Sequence, residues 1–209
     1  RLVSGRRMPL QSVAAFEQAL ALLVDPRPEF LFTYADSLIV AEQYEKALEV
    51  ADKMTVKPHQ ELIRGRVFLA QGRPAQALEH FERGLLLWPE NAIARYLAAI
   101  AAEKVGDFDR AIEEYRQAMR SDPALSASRE RLIRLHLAEG RVREAATIHR
   151  FKSPIKKGSA NSLEMKILAI EIQARLGNEP DLSIPPNEEF PLRMLQERAV
   201  DALGRGLRF

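Results

Sequence analysis

The chain has 209 residues, enough for one large domain or two small ones, and its 46% hydrophobic and 29% charged residues are typical of a soluble folded protein. It contains no cysteine, which excludes disulfides, thiolate metal sites, iron–sulfur clusters and a cysteine nucleophile. The net charge of +2 excludes a polycation, and no apolar run reaches the roughly 18–20 residues of a membrane span.

Residues 1–27 are predicted to form an N-terminal helix or cap. Val13 and Phe16 begin an apolar stripe at helical spacing, which predicts a helix over residues 11–23. Pro26 then favours a turn before the next segment.

An internal repeat of 34 residues follows this segment. Three residue types share the period, namely the glycines Gly72, Gly106 and Gly140, the alanines Ala77, Ala111 and Ala145, and the prolines Pro89 and Pro123. A fixed period of this length predicts stacked supersecondary units, none of which buries its apolar face alone.

Each period is predicted to contain two helices. In residues 58–89, apolar residues recur at helical spacing up to Gly72, which ends the first helix. A second apolar stripe begins after Pro74 and ends at Pro89. The predicted pairs cover residues 28–57, 58–91, 92–125 and 126–152. In the first pair, Glu42 stands where the later copies have glycine.

These residues resemble the tetratricopeptide repeat (TPR) family over about residues 28–152. The best match is Gly65-x₂-Phe68 in the first helix, Ala77-x₃-Phe81 in the second, and Pro89. The resemblance implies an all-α, right-handed α-solenoid of helix-turn-helix repeats, with first helices on the concave wall and atypical capping helices at both ends. Small residues such as Gly65 let paired helices approach closely, and aromatic residues fill the gap to the next helix.

Residues 153–209 are predicted to form C-terminal capping helices joined by a Pro-rich acidic linker. The predicted elements are a loop over 153–160, a helix over 161–176, an extended linker over 178–189 and a last helix over about 191–203. An alternative is that the last helix folds back across the concave wall.

The sequence contains none of the usual motifs for catalysis or cofactor binding. It lacks a P-loop, a complete dinucleotide fingerprint, an H-E-x-x-H pair and a G-x-S-x-G elbow. The histidines are scattered, and a packed or half-exposed imidazole is expected for each rather than a metal ligand: His59, His80, His136 and His149. We therefore predict no enzyme, no cofactor and no metal site.

The concave wall is the candidate binding site. Its apolar members would desolvate a partner and its two arginines would orient an acidic one. The predicted groove residues are Phe32, Asp36, Leu62, Arg66, Tyr96, Ile100 and Arg134. Some family members clamp a terminal carboxylate with Lys and Asn at these positions, and that arrangement is missing here. The sequence thus predicts a protein-protein interaction scaffold that holds a peptide or amphipathic helix of another protein.

Two alternatives stay open at this stage. The chain's own terminal helix would fill the groove of a structural, self-associating module. Residues 129–157 carry nine basic and three acidic residues and would bind anions or nucleic acid, although only Phe151 is available there for stacking. The acidic residues 178–201 would also complement that block, within the chain or between chains.

The compartment is open as well. Because the first residue is Arg1 rather than Met, we expect a fragment or a processed chain, part of a longer or anchored protein. The composition favours a soluble bacterial protein of the cytoplasm or periplasm.

Overall fold

The computed structural model describes residues 2–150 and 160–178, which form α-helices joined by short turns, with no strand in these ranges. The predicted all-α fold is confirmed for the described part of the chain. None of the described helices has the length and apolar character needed to cross a bilayer. The helices are α1 (Leu2–Leu20), α2 (Pro28–Val40), α3 (Tyr44–Lys53), α4 (Lys57–Ala70), α5 (Pro74–Leu87), α6 (Ala92–Val105), α7 (Phe108–Ser121), α8 (Ser126–Ala138), α9 (Val142–Arg150) and α10 (Ala160–Arg175).

The first helix differs most from its sequence prediction. It begins at Leu2 rather than at residue 11, and it ends at Leu20. Gly5 and Pro9 are weak helix formers, so the apolar pattern predicts only the second half. The apolar residues that follow Leu20 are exposed, and the chain turns there instead of extending the helix.

The first helices of the four pairs all end in the same type of turn. The residues with left-handed backbone in these turns are Glu42 (φ 60°), Gly72 (φ 73°), Gly106 (φ 90°) and Gly140 (φ 73°). In each turn the next N–H donates back across the helix end: Gln43 to Leu38 at 2.9 Å, Arg73 to Phe68 at 2.9 Å, Asp107 to Ala102 at 2.9 Å and Arg141 to His136 at 2.8 Å. This is the Schellman closure, which satisfies carbonyls that the helix leaves unpaired. Glu42 thus adopts a conformation that glycine holds in the other copies.

The described residues of 1–111 form one compact unit. In it, α4 packs against α5 where Gly65 meets the ring of Phe81. Phe81 and Ala77 are fully buried and share a core with Ala98 of α6. A second core cluster joins α1, α2 and α3 to α4. Successive helix pairs in this unit therefore share apolar contacts, as a repeat architecture requires.

The described residues of 112–209 form a second unit. Here α10 packs against both α8 and α9. Ile133, Ala145 and Leu168, one from each of these helices, are fully buried in one cluster. The observed α10 agrees with the helix that the sequence predicts over residues 161–176.

Three predicted elements lie wholly or mostly outside the described residues. They are the loop over 153–160, the linker over 178–189 and the last helix over about 191–203. Of these residues the structure describes only Ala160, where α10 begins, and Asn178. The division of the chain into cap, repeats and C-terminal capping helices therefore stays a prediction.

Candidate functional site

The helices α2, α4 and α6 are the first helices of three successive pairs in the first unit, and α4 contacts both of the others. Six of the seven predicted groove residues lie on them, with Phe32 and Asp36 on α2, Leu62 and Arg66 on α4, and Tyr96 and Ile100 on α6. Arg134 lies on α8, in the second unit, where its Nε donates to Glu130 Oε1 at 3.0 Å. We use the term first-helix face for Phe32, Asp36, His59, Arg66, Tyr96 and Ile100.

Asp36 and Arg66 form an ion pair that joins α2 to α4. Both side chains are half-buried. Sequence patterning predicts each of them as a groove residue but cannot predict that they neutralise each other. The charge of Arg66 is therefore already compensated by Asp36. The pair offers hydrogen-bond donors and acceptors to a ligand but carries little net charge.

Three rings from two successive helix pairs follow one another, with His59 beside both Phe32 and Trp88, and we call them the aromatic row. The centroids of Phe32 and His59 are 5.0 Å apart, and those of His59 and Trp88 are 6.1 Å apart. Trp88 caps the end of α5 and remains 44% exposed. The Nδ1 atom of His59 is buried and has no hydrogen-bond partner among the described residues. The row thus combines apolar surface with one unsatisfied polar atom.

Sequence reasoning misses Trp88 as a site residue, because it searches the first helices and Trp88 follows a second helix. A usable signal exists, since Trp88 is the only tryptophan in the chain and directly precedes the helix-ending Pro89. Large aromatic residues at an exposed connection are a common feature of binding surfaces.

Leu62 is placed differently from its prediction as a groove contact. Its side chain is only 4% exposed and belongs to the core cluster that contains Phe81 and Ala98. The packing of α5 and α6 around α4 encloses this position. Leu62 therefore supports the face from beneath instead of lining it.

The other histidines are held by packing and hydrogen bonds. His80 Nδ1 lies 2.8 Å from Glu61 Oε2, and the His80 ring stacks on Phe68 with centroids 5.1 Å apart. His149 Nε2 lies 2.9 Å from the carbonyl oxygen of Met165. His136 is fully buried, as its slot between helices predicts. Among the described residues, no three His, Asp or Glu side chains are grouped as metal ligands.

The basic block over residues 129–157 is not a continuous cationic surface where the structure describes it. Arg129 is only 3% exposed, and burial lowers the pKa of its guanidinium. Arg141 forms an ion pair with Glu139, and Arg134 forms one with Glu130. This weakens the nucleic-acid alternative, which needs a continuous run of exposed cations.

Comparison with known families identifies one family in the repeat region. A family model described as "Tetratricopeptide repeat" matches residues 64–126 and, in an overlapping second match, residues 96–149. The chain is also 31% identical over 106 residues to the TPR repeat-containing thioredoxin TTL4 of Arabidopsis thaliana. That alignment covers 51% of this chain but only 15% of the relative's length.

Solved structures with the same fold are more distant in sequence. BtubC from P. vanneervenii superposes with a TM-score of 0.62 at 16% identity, covering 99% of this chain and 91% of that one. MamA from Desulfovibrio magneticus RS-1 superposes with a TM-score of 0.53 at 22% identity, covering 68% of this chain and 82% of that one. At these identities the likeness shows the fold alone.

Proposed function

Since residues 64–149 belong to the tetratricopeptide repeat family, we propose that the chain binds an amphipathic helix of a partner protein on its first-helix face. Repeats of this family generally act as protein-interaction scaffolds rather than as enzymes. The proposal adds a particular face, a class of ligand and the residues that contact it. The aromatic row is the observation that carries it.

The spacing of the aromatic row favours a helical ligand. Its ring centroids are 5.0 and 6.1 Å apart, close to the rise of about 5.4 Å per turn of an α-helix. Apolar side chains at positions i, i+4 and i+8 of a bound helix would therefore meet Phe32, His59 and Trp88 in turn. Alternate side chains of an extended peptide are about 6.4–6.8 Å apart, which is longer than either spacing in the row.

The polar atoms of the face add orientation. His59 Nδ1 is buried without a partner among the described residues, and such an atom costs about 1–3 kcal/mol. Because that atom is inaccessible to solvent, a ligand group recovers part of that cost only if the His59 ring turns toward it. The Asp36–Arg66 pair keeps free valences for a second polar contact. Because the pair is neutral overall, we expect binding to depend only weakly on salt.

The experiment begins with a selection of helical peptides displayed on phage against the intact chain. Each selected peptide is then titrated while the intrinsic fluorescence of Trp88 is recorded, since no other tryptophan contributes. We expect saturable changes in Trp88 emission, and affinity at least about tenfold lower for Phe32→Ala and for His59→Ala, equivalent to about 1.4 kcal/mol.

The matched control is Phe108→Ala. Phe108 is 47% exposed, much like Trp88, but it starts a second helix and is not part of the first-helix face. This variant should bind like the parent. If Phe32→Ala and His59→Ala also bind like the parent, the face is not the binding site. If no helical peptide is selected, the structural alternative, in which the chain covers its own groove, is favoured instead.

The ion pair is tested by charge exchange. Arg66→Glu places two carboxylates together and should weaken binding, and the double variant Asp36→Arg/Arg66→Glu restores an ion pair in reverse. Recovery in the double variant would show that the pair organises the face. If the double variant still binds weakly, the ligand recognises the sign of the charge at each position.

A further inference from the structure

A cleft of about 690 Å³ lies within the second unit. It is bordered by α7 (residues 112–121), by α8 and by α9. Leu132, which is almost fully buried, and the half-buried Met119 and Ile148 form its apolar floor. The rim carries exposed polar side chains: Arg116 and Arg120 from α7, and Arg143, Glu144 and Thr147 from α9. The volume is of the size that accepts several apolar side chains or one small ligand.

The three rim arginines are unpaired in this part of the chain. Arg116, Arg120 and Arg143 make no ion pair with any residue that the structure describes, whereas Arg175 of the same unit pairs with Glu171 at 2.8 Å. Glu144 is the one acidic residue among the described rim residues, which together carry a net charge of +2. An apolar floor under uncompensated guanidinium groups is complementary to an anionic, partly apolar ligand.

We propose that this cleft binds an acidic amphipathic helix of a partner protein, at a site separate from the first-helix face. The apolar side of the ligand helix would contact Leu132, Met119 and Ile148. Its carboxylates would pair with the arginines on both sides of the cleft. Guanidinium groups bind carboxylates in two-point contacts, which would orient the helix as well as hold it.

The spacing of the arginines supports a helical ligand. Arg116 and Arg120 are four residues apart on α7 and so lie on one side of that helix, one turn apart. Two carboxylates four residues apart on a ligand helix have the same spacing. Arg143 lies on α9 and would contact a third carboxylate from the other side of the cleft.

The composition of the cleft favours a peptide over a nucleic acid. None of the lining residues that the structure describes is aromatic, so these residues offer no ring for the base stacking that single-strand binders use. Glu144 on the rim would also repel a phosphate backbone. The Glu144 carboxylate is compatible with a peptide, because a peptide carries hydrogen-bond donors as well as acceptors.

The test uses the intact chain and a fluorescein-labelled synthetic helix of about 18 residues, long enough to be partly helical. The probe has leucines along one side and glutamates flanking them, and its counterpart has every glutamate replaced by glutamine. We expect saturable binding of the acidic probe by fluorescence anisotropy. Its affinity should be at least about tenfold higher than that of the glutamine peptide, and it should fall as salt is raised.

Arginine variants locate the site. Arg116→Ser/Arg120→Ser and Arg143→Ser should each weaken binding, whereas Arg150→Ser should not. Arg150 is exposed on the same helix as Arg143 but does not line the cleft, so it controls for the loss of one charge. All four arginines are exposed, and unchanged circular dichroism would show that the variants are folded.

Three results would overturn the proposal. They are equal affinity for the two peptides, parental affinity in the cleft variants, and tighter binding of a single-stranded oligonucleotide than of the acidic probe. Phe32→Ala and His59→Ala should leave binding of this probe unchanged. The experiment therefore separates failure of the cleft from failure of the first-helix face.

Discussion

The ring of Phe81 occupies the space in which a side chain on Gly65 would begin. An ideal Cβ atom on Gly65 would lie 2.5 Å from Cε1 and 2.6 Å from Cδ1 of that ring. Phe81 is fully buried, so its ring has no free space into which to move. The close approach of α4 and α5 therefore depends on the absence of one carbon atom.

Gly65→Ala is expected to destabilise the chain. Overpacking of a core costs about 1–3 kcal/mol, and the better helix propensity of alanine offsets up to about 1 kcal/mol of this. We expect a net loss of about 1–2 kcal/mol in the free energy of unfolding, measured by urea denaturation followed by circular dichroism.

Gly84→Ala is the matched control, because Gly84 is also a helical glycine. A Cβ atom there would meet Glu61 Cβ at 3.4 Å, which is an ordinary contact distance. This substitution should stabilise the chain by about 0.5–1 kcal/mol. A stable Gly65→Ala variant would mean that α4 and α5 separate more easily than the packing implies.

Glu42→Gly is expected to raise stability. Glu42 has a left-handed backbone, with φ of 60°. Its turn is closed by a hydrogen bond from Gln43 to Leu38, and each glycine turn has an equivalent hydrogen bond. Left-handed backbone costs a residue with a side chain about 1–2 kcal/mol. Glycine removes that strain but adds unfolded-state entropy, so we expect a net gain of about 0.5–1 kcal/mol by thermal denaturation.

The reverse substitution checks this reasoning. Gly106 has φ of +90°, and a Cβ atom there would meet nothing within 4 Å. Gly106→Ala therefore isolates the backbone effect, and it should lower stability by about 1 kcal/mol. An unchanged melting temperature in both variants would contradict a role for backbone strain in these turns.

Asn91→Ala is expected to weaken the start of α6. The Asn91 side-chain oxygen accepts a hydrogen bond from the N–H of Ala94 at 3.0 Å. Loss of such a cap costs about 1 kcal/mol. Asn91→Asp keeps the acceptor and should preserve the melting temperature. Equal loss in the two variants would point to another role for the amide.

Acid is expected to destabilise the chain through His136. Burial lowers the pKa of the His136 imidazole, the charges of Arg141 and Arg116 lower it further, and Glu144 opposes them. Both ring nitrogens are buried and lack a hydrogen-bond partner among the described residues. As the pH falls below the ordinary value of about 6.5, the unfolded chain takes up a proton that the folded chain does not. The free energy of unfolding should therefore fall, by at most about 1.4 kcal/mol per pH unit.

The contribution of His136 is isolated with His136→Leu, which fills a similar volume and does not titrate. Melting temperatures measured from pH 7.5 down to 5 should decline less steeply for the variant than for the parent. The other three histidines are present in both proteins, so the comparison isolates position 136. Parallel curves would show that His136 takes up no proton linked to unfolding in this range.

Much of the fold follows from local patterns. The glycine period predicts three of the turns, and Gly72, Gly106 and Gly140 indeed share left-handed backbone. The small residue Gly65 is correctly predicted to allow a close approach of paired helices. Helix ends depend on short-range signals such as glycine, proline and apolar spacing, which a single sequence contains.

The candidate site could be predicted only in part. Register places Phe32, Asp36 and Arg66 on first helices, and the structure agrees. Register alone also places Leu62 among the groove contacts, but the neighbouring helices enclose it. The exposure of a helical residue depends on how closely other helices pack around it, and no local pattern records that distance.

The sequence by itself determined the helix pairs, the 34-residue period of the later copies and the three glycine turns, because each depends on residues close together in the chain. Only the tertiary structure decided that Asp36 neutralises Arg66, that Trp88 extends a row of rings begun by Phe32, and that three arginines surround an apolar cleft without an acidic partner among the described residues. Such relationships join side chains from different helices. They depend on interhelical distances of a few ångströms, which are set by the packing of the whole core.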